Sequence, residues 1–338
     1  MQSMKDSETF VIGNQSIARG ESCYFDLTIA RLYDSTELSV PVCVIRGKEA
    51  GPVCFLSGSI HGDEIVGQEI IRRVLKKQKS RIQCGTLICV PIVNVFGYNS
   101  KSRYLPDRRD LNRCFPGNEK GSLGARLAHI FTKHILEVSH AGIDFHSGAV
   151  HKANLPQVRG CLDNPLAESL ALEFGAPVVI DSRLRDGSLR GTADDLGIPV
   201  LVYEGGEALR QDEAVIKFGV RGALNCLKHL GMIKTSLKEA KKTKPQIAKS
   251  SFWLRAPQSG TMRPLQKLGS VVDKGSKLGV ISDVFGKNSI DIMASATGVI
   301  IGENRLPLVN QGDALFHIAT FEKIDLDAYW DGDLEIMD

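Results

Sequence analysis

The sequence predicts an α/β protein with a further all-β region at its C-terminal end. Between residues 49 and 233, short apolar runs alternate with longer amphipathic runs, an order typical of a three-layer α/β/α sandwich around a mostly parallel or mixed sheet. Residues 234–251 are charged and poor in large apolar side chains, and residues 252–338 contain short apolar runs between Gly turns. We therefore divide the chain into strands at 1–48, an α/β domain at 49–233, a linker at 234–251 and a β-domain at 252–338.

The individual elements follow from the period of the apolar residues. Apolar and polar side chains alternate at 24–29 and 38–44, which predicts the two strands of an N-terminal hairpin that packs on the α/β domain. Apolar runs inside that domain predict strands at 53–60, 85–93, 142–145, 177–180 and 199–203. Amphipathic runs predict helices at 65–77, 123–138, 165–174 and 213–230.

The segment at 234–251 has two interpretations. A basic tail that binds nucleic acid is one, but the run is short and contains Glu239, so we favour a linker.

The β-domain contains an internal repeat. Residues 255–262 correspond to 293–300, and residues 272–281 correspond to 309–318. Two such halves resemble the barrel-sandwich fold of biotinyl and lipoyl domains. The turn between them carries Lys287 without the Met-Lys-Met or Asp-Lys-Ala context of a modified lysine, so we expect no biotin or lipoate there.

Composition restricts the class of protein. The chain has 338 residues, of which 43% are hydrophobic and 24% charged, and its net charge of +3 is too small to predict a nucleic-acid or membrane partner. No apolar run approaches membrane-spanning length, and the N-terminus lacks the apolar core of a signal peptide. The eight cysteines include no C-x-x-C pair. They are expected to be reduced core residues of a cytoplasmic protein.

Ligand-type side chains follow two of the predicted strands. His61 and Glu64 lie three residues apart in a Gly-containing turn after one strand, and His146 ends another. A lone H-x-x-E sequence occurs by chance in many proteins. Here, however, both histidines fall at strand ends, where open α/β sheets bind their ligands. Two imidazoles and a carboxylate are good ligands for Zn²⁺, so the sequence favours a metal site.

A third strand end carries a candidate general base. Glu204 comes directly after the apolar run that ends at Tyr203. A carboxylate beside a metal, but not bound to it, can take a proton from water and return it to a leaving amine. Glu207 is the competing candidate, and we prefer Glu204 because it is nearer to the strand end.

A loop rich in arginine lies between these strands. Arg103, Arg108, Arg109 and Arg113 fall within eleven residues, and Asn112 precedes the last of them. Such a loop could be a solvated surface. Planar guanidinium groups also suit carboxylate binding, and one of them could polarise a scissile carbonyl.

Taken in order, these motifs resemble the succinylglutamate desuccinylase and aspartoacylase family of zinc hydrolases, a branch of the zinc-carboxypeptidase-like fold. The matching motifs are H-G-D-E at 61–64, R-D-L-N-R-C-F-P-G at 109–117, D-F-H-S-G at 144–148 and Y-E-G-G-E at 203–207. Many bacterial members also carry a C-terminal β-domain.

The resemblance implies a role for each motif. One zinc ion per chain would be bound by His61, Glu64 and His146, and Glu204 would be the general base and acid. The substrate carboxylate would be held by Asn112 and Arg113, with Arg109 as a further binding residue. Arg103 would polarise the scissile carbonyl, although two extra residues before Asn112 leave Arg108 and Arg109 as alternatives.

The expected function is therefore zinc-dependent hydrolysis of the amide bond of a small N-acylated amino acid or related amine that bears a carboxylate. A metallocarboxypeptidase acting on a small peptide is the alternative enzyme, and a non-catalytic carrier protein is the alternative from another class. We expect the β-domain to pack beside the mouth of the zinc site and restrict it to small substrates. A homodimer is a reasonable expectation for the oligomer.

Overall fold

A computed structural model of the chain describes residues 8–78, 81–182, 184–234 and 245–324. Its first ten strands, in chain order, are β1 (Thr9–Ile12), β2 (Gln15–Ala18), β3 (Ser22–Arg31), β4 (Glu37–Arg46), β5 (Glu49–Gly58), β6 (Cys84–Val90), β7 (Ala141–Gly148), β8 (Lys152–Gly160), β9 (Val178–Asp181) and β10 (Val200–Glu207). The others are β11 (Gln246–Ala248), β12 (Ser250–Arg255), β13 (Gly260–Pro264), β14 (Val271–Val272), β15 (Lys277–Ser282), β16 (Ser289–Met293), β17 (Gly298–Asn304), β18 (Leu308–Val309) and β19 (Ala314–Thr320).

The helices of the described residues are α1 (Val66–Gln78), α2 (Val95–Ser100), α3 (Leu123–Phe131), α4 (Pro165–Phe174), α5 (Leu189–Asp195) and α6 (Glu213–His229). A short 3₁₀ turn covers Leu111–Arg113, and a π-helical turn at Thr132–Leu136 extends α3. None of these helices is long and apolar enough to cross a membrane.

A large mixed sheet organises the fold, in the order β12-β19-β17-β8-β10-β7-β5-β6-β4-β3. Its centre is parallel, because β7 pairs in parallel with both β5 and β10, and β5 pairs in parallel with β6. The strands β3 and β4 form the predicted N-terminal hairpin, which joins the sheet through β6. Since the three central strands β5, β7 and β10 are parallel, their carboxyl ends meet at one edge.

Helices cover both faces of this sheet, as the alternation predicted. Along β5, Cys54 and Leu56 join an apolar cluster with residues of α1, α4 and α6. Val53 and Phe55 point to the opposite face and join a second cluster with residues of α3 and α5. Phe55 meets Phe131 of α3 edge to face, with ring centroids 5.8 Å apart. The alternation of side chains along a buried strand therefore builds two cores, one on each face.

The C-terminal strands repeat one pairing pattern. A four-stranded sheet has the order β16-β15-β13-β18, and the corresponding set is β12-β19-β17 with β14 on β17. The internal repeat in the sequence is thus visible in the hydrogen bonding. The second set is continuous with the large sheet, because β17 pairs antiparallel with β8 at Gly302 and Asn154.

The boundary between the predicted linker and the predicted β-domain differs from the sequence prediction. The predicted linker, 234–251, is too long at its C-terminal end, because β11 pairs in parallel with β9 and β12 begins at Ser250. For the same reason the predicted boundary at 252 falls inside β12. Apolar side chains at Ile247 and Ala248 allow the short strand, and Ala248 is buried. The most charged part of the predicted linker, at 235–244, lies outside the described residues, as do residues 1–7 of the N-terminal segment.

Because the C-terminal strands continue the large sheet, removing them should destabilise the rest of the chain. Deleting residues 252–338 would remove β17 from the edge of β8 and take Val299 and Ile301 out of a buried cluster that includes Leu155. Those two side chains alone contribute roughly 3–6 kcal/mol, a large part of a typical stability of about 5–15 kcal/mol. We expect the truncated chain to aggregate or to lose cooperative thermal unfolding, measured by soluble yield and circular dichroism. A soluble, cooperatively folding truncation would contradict this.

Candidate active site

The three ligand-type side chains come together because two neighbouring parallel strands end side by side. His61 and Glu64 lie on the turn that leaves β5, and His146 lies near the end of β7, where Gly58 of β5 is in register with Phe145. The turn requires glycine at position 62, because a Cβ there would lie 1.9 Å from the backbone carbonyl carbon of Gly97. Close backbone packing therefore fixes where His61 points.

Both histidines face the same carboxylate. The Nδ1 atom of His61 lies 2.8 Å from one oxygen of Glu64, and Nδ1 of His146 lies 2.7 Å from the other. One potential ligand atom from each of the three residues lies within 4.8 Å of the others, and all three side chains are buried. The backbone N–H of Ser147 also donates to Glu64, at 3.2 Å. The predicted triad is thus assembled in one place.

Two further carboxylates orient the imidazoles from outside. Nε2 of His61 lies 3.2 Å from Asp110, and Nε2 of His146 lies 2.6 Å from Asp144. These contacts place a carboxylate at each Nε2, which orients the ring, and leave each Nδ1 facing Glu64. Sequence reasoning assigned no role to either aspartate. The D-x-H spacing in β7 was a usable signal for Asp144, because residues two apart on a strand share a face.

The charges in this cluster are mutually stabilising. Burial lowers the pKa of His61 and of His146, but the neighbouring carboxylates outweigh it, so the net shift of both pKa values is upward. Burial raises the pKa of Glu64, yet the two histidines outweigh that effect and hold the pKa of Glu64 well below its usual range. Glu64 therefore remains an ionised carboxylate although it is fully buried.

The donor set fits a zinc ion. Two imidazole nitrogens and one carboxylate oxygen are a common protein ligand set for catalytic zinc, and a catalytic site adds a water in the remaining position. The outer carboxylates, Asp110 and Asp144, are the partners that zinc-binding histidines usually have.

Of the candidate arginines, Arg103 lies at this cluster. Its guanidinium donates to Glu64 and to Asp110, each at 3.0 Å, and it lines the adjoining cavity. Arg109 does not reach the cavity: its side chain is 59% exposed and pairs with Asp107 at 3.5 Å. The structure therefore gives no support to the expectation that Arg109 binds substrate. Arg108 is also exposed, and its backbone has a left-handed φ of 63°.

Glu204 lines the same cavity. It follows Tyr203 in β10, in register with His146 of β7, and it accepts a hydrogen bond of 2.9 Å from the Asn154 side chain. Glu207 lies outside the cavity lining and instead pairs with Arg305 at 3.3 Å. Asn154 was missed in the sequence because its strand, β8, was missed. Pro156 and the charged ends of β8 hide the apolar pattern of a strand.

A cavity of roughly 760 Å³ joins these groups. Asn112 and Arg113 line it, and the side-chain oxygen of Asn112 accepts a 2.9 Å hydrogen bond from the backbone of Leu189 at the start of α5. C-terminal residues line the same cavity, among them Trp253 of β12 and His317 of β19. A cavity of this size is within the usual range of small-molecule sites, about 300–1,000 Å³.

Comparison with known proteins identifies the family. A sequence model of the succinylglutamate desuccinylase/aspartoacylase catalytic domain matches residues 50–230, just over half of the 338-residue chain. The chain belongs to this family, so the resemblance drawn from the motifs is confirmed.

Individual relatives cover most of the chain. N-alpha-acetyl-L-2,4-diaminobutyric acid deacetylase from Halomonas elongata is 28% identical over 297 residues, which are 83% of this chain and 85% of that protein. A succinylglutamate desuccinylase/aspartoacylase structure from Rhodobacter sphaeroides is 26% identical, with a TM-score of 0.78 over 90% of this chain and 96% of its own. The product-bound ectoine utilization protein EutE from Ruegeria pomeroyi is 22% identical, with a TM-score of 0.81 over 90% and 97%, and shares the fold.

The convergent ligand set generates a prediction about metal content. Purified protein should contain about one zinc per chain by elemental analysis, and His146→Ala should lose it, because one of three ligand atoms disappears. Asp144→Asn should keep the metal but bind it roughly 10–100-fold more weakly, because the carboxylate that orients His146 is lost.

Glu69→Gln is a matched control, since Glu69 is a largely buried carboxylate that pairs with Arg72 and Arg73 on α1, outside the cluster. Zinc affinity of Glu69→Gln should equal that of the unmodified protein. Full zinc content in His146→Ala would contradict the assignment.

Proposed function

We propose that the protein is a zinc-dependent amidohydrolase that removes the acyl group from a small N-acylated amino acid. The observation that carries this proposal is the single cavity in which His61, Glu64 and His146 lie together with Glu204 and Arg103. The relative from Halomonas elongata, named as a deacetylase of an N-acetylated amino acid, supports the reaction class.

Each residue has a separate task in this reaction. Zinc, when held by His61, Glu64 and His146, supplies a Lewis acid that makes water a stronger acid at neutral pH. Glu204 takes the proton from the attacking water as the water adds to the acyl carbon. It then returns that proton to the departing nitrogen, which releases a carboxylate and a free amine. The hydrogen bond from Asn154 holds one Glu204 oxygen and leaves the other for the proton.

Arg103 can stabilise the negative charge that develops on the acyl oxygen. Its guanidinium is fixed by Glu64 and Asp110 and is only 27% exposed, so it is oriented before the substrate arrives. Burial lowers the pKa of Arg103, but the two carboxylates outweigh this and raise the pKa, which keeps the group charged. A preorganised donor of this kind typically contributes about 10²–10³ in rate.

The substrate carboxylate is assigned to Asn112 and Arg113. The oxygen of the Asn112 amide already accepts from Leu189, so its NH₂ group remains as the donor. Arg113 is exposed at the cavity wall, and its guanidinium donates to the backbone oxygen of Asn112, which keeps the two side chains together. An amide donor next to a guanidinium fork matches a carboxylate.

The C-terminal strands favour a small substrate over a peptide. Lys249, Phe252 and Trp253 contribute to the cavity lining, so the region beyond the α/β domain forms one of its walls. A cytoplasmic location and a homodimer stay predictions.

The assignment of the base has a direct test. Glu204→Gln should keep zinc and lose nearly all turnover, because an amide cannot accept the proton. The measurement is hydrolysis of a panel of N-acetyl, N-succinyl and N-formyl amino acids, with zinc content checked in each preparation. Glu207→Gln is the matched control and should retain activity, because Glu207 pairs with Arg305 away from the cavity. Near-normal turnover by Glu204→Gln would refute the role.

The carboxylate site has a second test. Hydrogen bonds to charged groups contribute about 1.5–3 kcal/mol, so Arg113→Ala should lower kcat/KM by roughly 10–150-fold. Neutralising the substrate carboxylate as an amide should cost the unmodified enzyme a similar factor. Arg109→Ala is the control and should change little, because that side chain pairs with Asp107 in solvent. If charged and neutralised substrates react at equal rates, the assignment is wrong.

A further inference from the structure

The last strand of the chain, β19, ends at the rim of the catalytic cavity. Its final residue, Thr320, is in register with Ser250 of β12, and the backbone N–H of Lys249 donates a 2.7 Å hydrogen bond to the Thr320 carbonyl. Lys249 and Ser250 both line the cavity. The next residue, Phe321, packs against a buried cluster that includes Ile180, another lining residue. The chain that follows β19 therefore starts beside the cavity.

An acidic side chain after β19 already pairs with a cation of this rim. The carboxylate of Glu322 lies 3.7 Å from the ammonium group of Lys249, with side chains that are 85% and 68% exposed. An exposed ion pair of this kind contributes little to stability. It nevertheless identifies Lys249 as a cation of the cavity lining that faces the departing chain.

The segment that comes next is strongly acidic. Residues 325–338 follow the described part of the chain and hold six of its 39 Asp and Glu residues, but none of its 42 Lys and Arg residues. Taking six negative charges from a net charge of +3 leaves +9 on residues 1–324. The segment also contains Tyr329 and Trp330. A block of like charges that includes aromatic side chains is typical of an interaction segment.

The cavity has the complementary character. Of the described residues that line it, seven are Lys or Arg and three are Asp or Glu. Two of the cations, Arg185 and Lys249, are exposed, so the excess positive charge reaches the solvent side of the cavity. The lining also includes Trp253, whose ring stacks on that of His317 with centroids 4.7 Å apart. Carboxylates and aromatic rings therefore both find matching groups there.

The acidic segment is long enough to reach these groups. Trp330 follows Ile324, the last described residue, by six positions, and six extended residues span roughly 20 Å. That length can cross the mouth of a cavity of roughly 760 Å³. A short tether also gives the segment an effective concentration of the order of 1 mM, so that a weak contact is sufficient to hold it.

We propose that residues 325–338 bind across the mouth of the cavity and compete with the substrate. Their carboxylates face Lys249 and Arg185, and Trp330 packs towards Trp253. The interaction surface is thus the cationic rim of the cavity, and its partner is the acidic C-terminal segment of the same chain. The competition with substrate rests on the proposed function, whereas the contact itself does not.

The first test measures kinetics on full-length, zinc-loaded protein with a neutral-tail variant. This variant carries the six substitutions Asp325→Asn, Asp327→Asn, Asp331→Asn, Asp333→Asn, Glu335→Gln and Asp338→Asn. We expect it to have a KM roughly 2–10-fold lower at low salt with kcat nearly unchanged, because a competitor held near its own Kd is removed. The difference between the two proteins should disappear at about 1 M salt, where the Debye length is about 3 Å.

The matched control neutralises the same number of exposed carboxylates outside the cavity lining. It carries Asp26→Asn, Glu119→Gln, Asp163→Asn, Asp194→Asn, Asp195→Asn and Asp273→Asn. Its KM should equal that of the unmodified protein. If the neutral-tail variant also has an unchanged KM, or if its KM changes no more than that of the control, the competition is refuted.

The second test does not depend on catalysis. The chain has two tryptophans, one on each side of the proposed contact. In full-length Trp253→Phe, emission from Trp330 should be blue-shifted and protected from acrylamide, and the neutral-tail substitutions should remove both effects. In full-length Trp330→Phe, the same substitutions should make Trp253 more accessible to acrylamide.

Substitutions at the rim decide where the segment binds. Lys249→Met and Arg185→Met should each reduce the protection of Trp330, whereas Arg263→Met should not, because Arg263 is an exposed cation of β13 outside the lining. Protection that survives both rim substitutions, or that rises with protein concentration, would place the segment on another surface or on a second copy and overturn the proposal. Unchanged emission from both tryptophans would also overturn it.

The two tests separate this inference from the proposed function. A protein that hydrolyses no N-acyl amino acid refutes the proposed function, while the fluorescence of Trp330 still reports whether the segment is bound at the rim. Hydrolysis together with fully exposed Trp330 in Trp253→Phe and unchanged Trp253 emission in Trp330→Phe supports the proposed function and refutes the contact.

Discussion

The site depends on one buried carboxylate, that of Glu64. An ionised carboxylate that is removed from water without partners is strongly destabilising. Here Arg103 and the backbone of Ser147 donate to it, and Nδ1 of His61 and Nδ1 of His146 each lie within 2.8 Å of one of its oxygens. The same arrangement that makes the burial of Glu64 tolerable also gathers the ligand atoms of a metal site. The contacts that stabilise the buried Glu64 carboxylate are thus the same contacts that assemble the metal site.

The parallel strands make this gathering possible. Phe145 is in register with Gly58, and Glu204 is in register with His146, so the groups of three strands emerge at one edge at the same level. The outer carboxylates then keep the imidazoles from rotating. Asp144 is itself held, because the Ser57 hydroxyl of the neighbouring strand donates to it at 2.8 Å. The cluster is therefore positioned by the sheet and by the tightly packed turn that leaves β5.

The residues that meet at the cavity could be predicted from the sequence where the signal is local. His146 and Glu204 directly follow apolar residues, and His61 and Glu64 lie in the Gly-containing turn after another apolar run. The end of a buried strand can thus be recognised from neighbouring residues alone. Sequence reasoning failed where the signal is a long-range contact. Nothing near Asn154 in the chain indicates that Glu204, fifty residues later, needs its amide. The choice among the arginines of the loop presents the same difficulty, since only the fold decides which of them turns inward.

The C-terminal strands are hydrogen-bonded, through β8, to the strand that carries the proposed base. A separate domain on a tether could move without disturbing the catalytic groups, but here β17 is hydrogen-bonded to β8 at Asn154, and β8 is hydrogen-bonded to β10, which carries Glu204. Any displacement of β17 would therefore act on the strand that holds the base. The stacked rings of Trp253 and His317 belong to the same continuous sheet. The orientation of the proposed base and the shape of the cavity wall therefore depend on the same contact. That contact is the close approach of the backbones at Gly302.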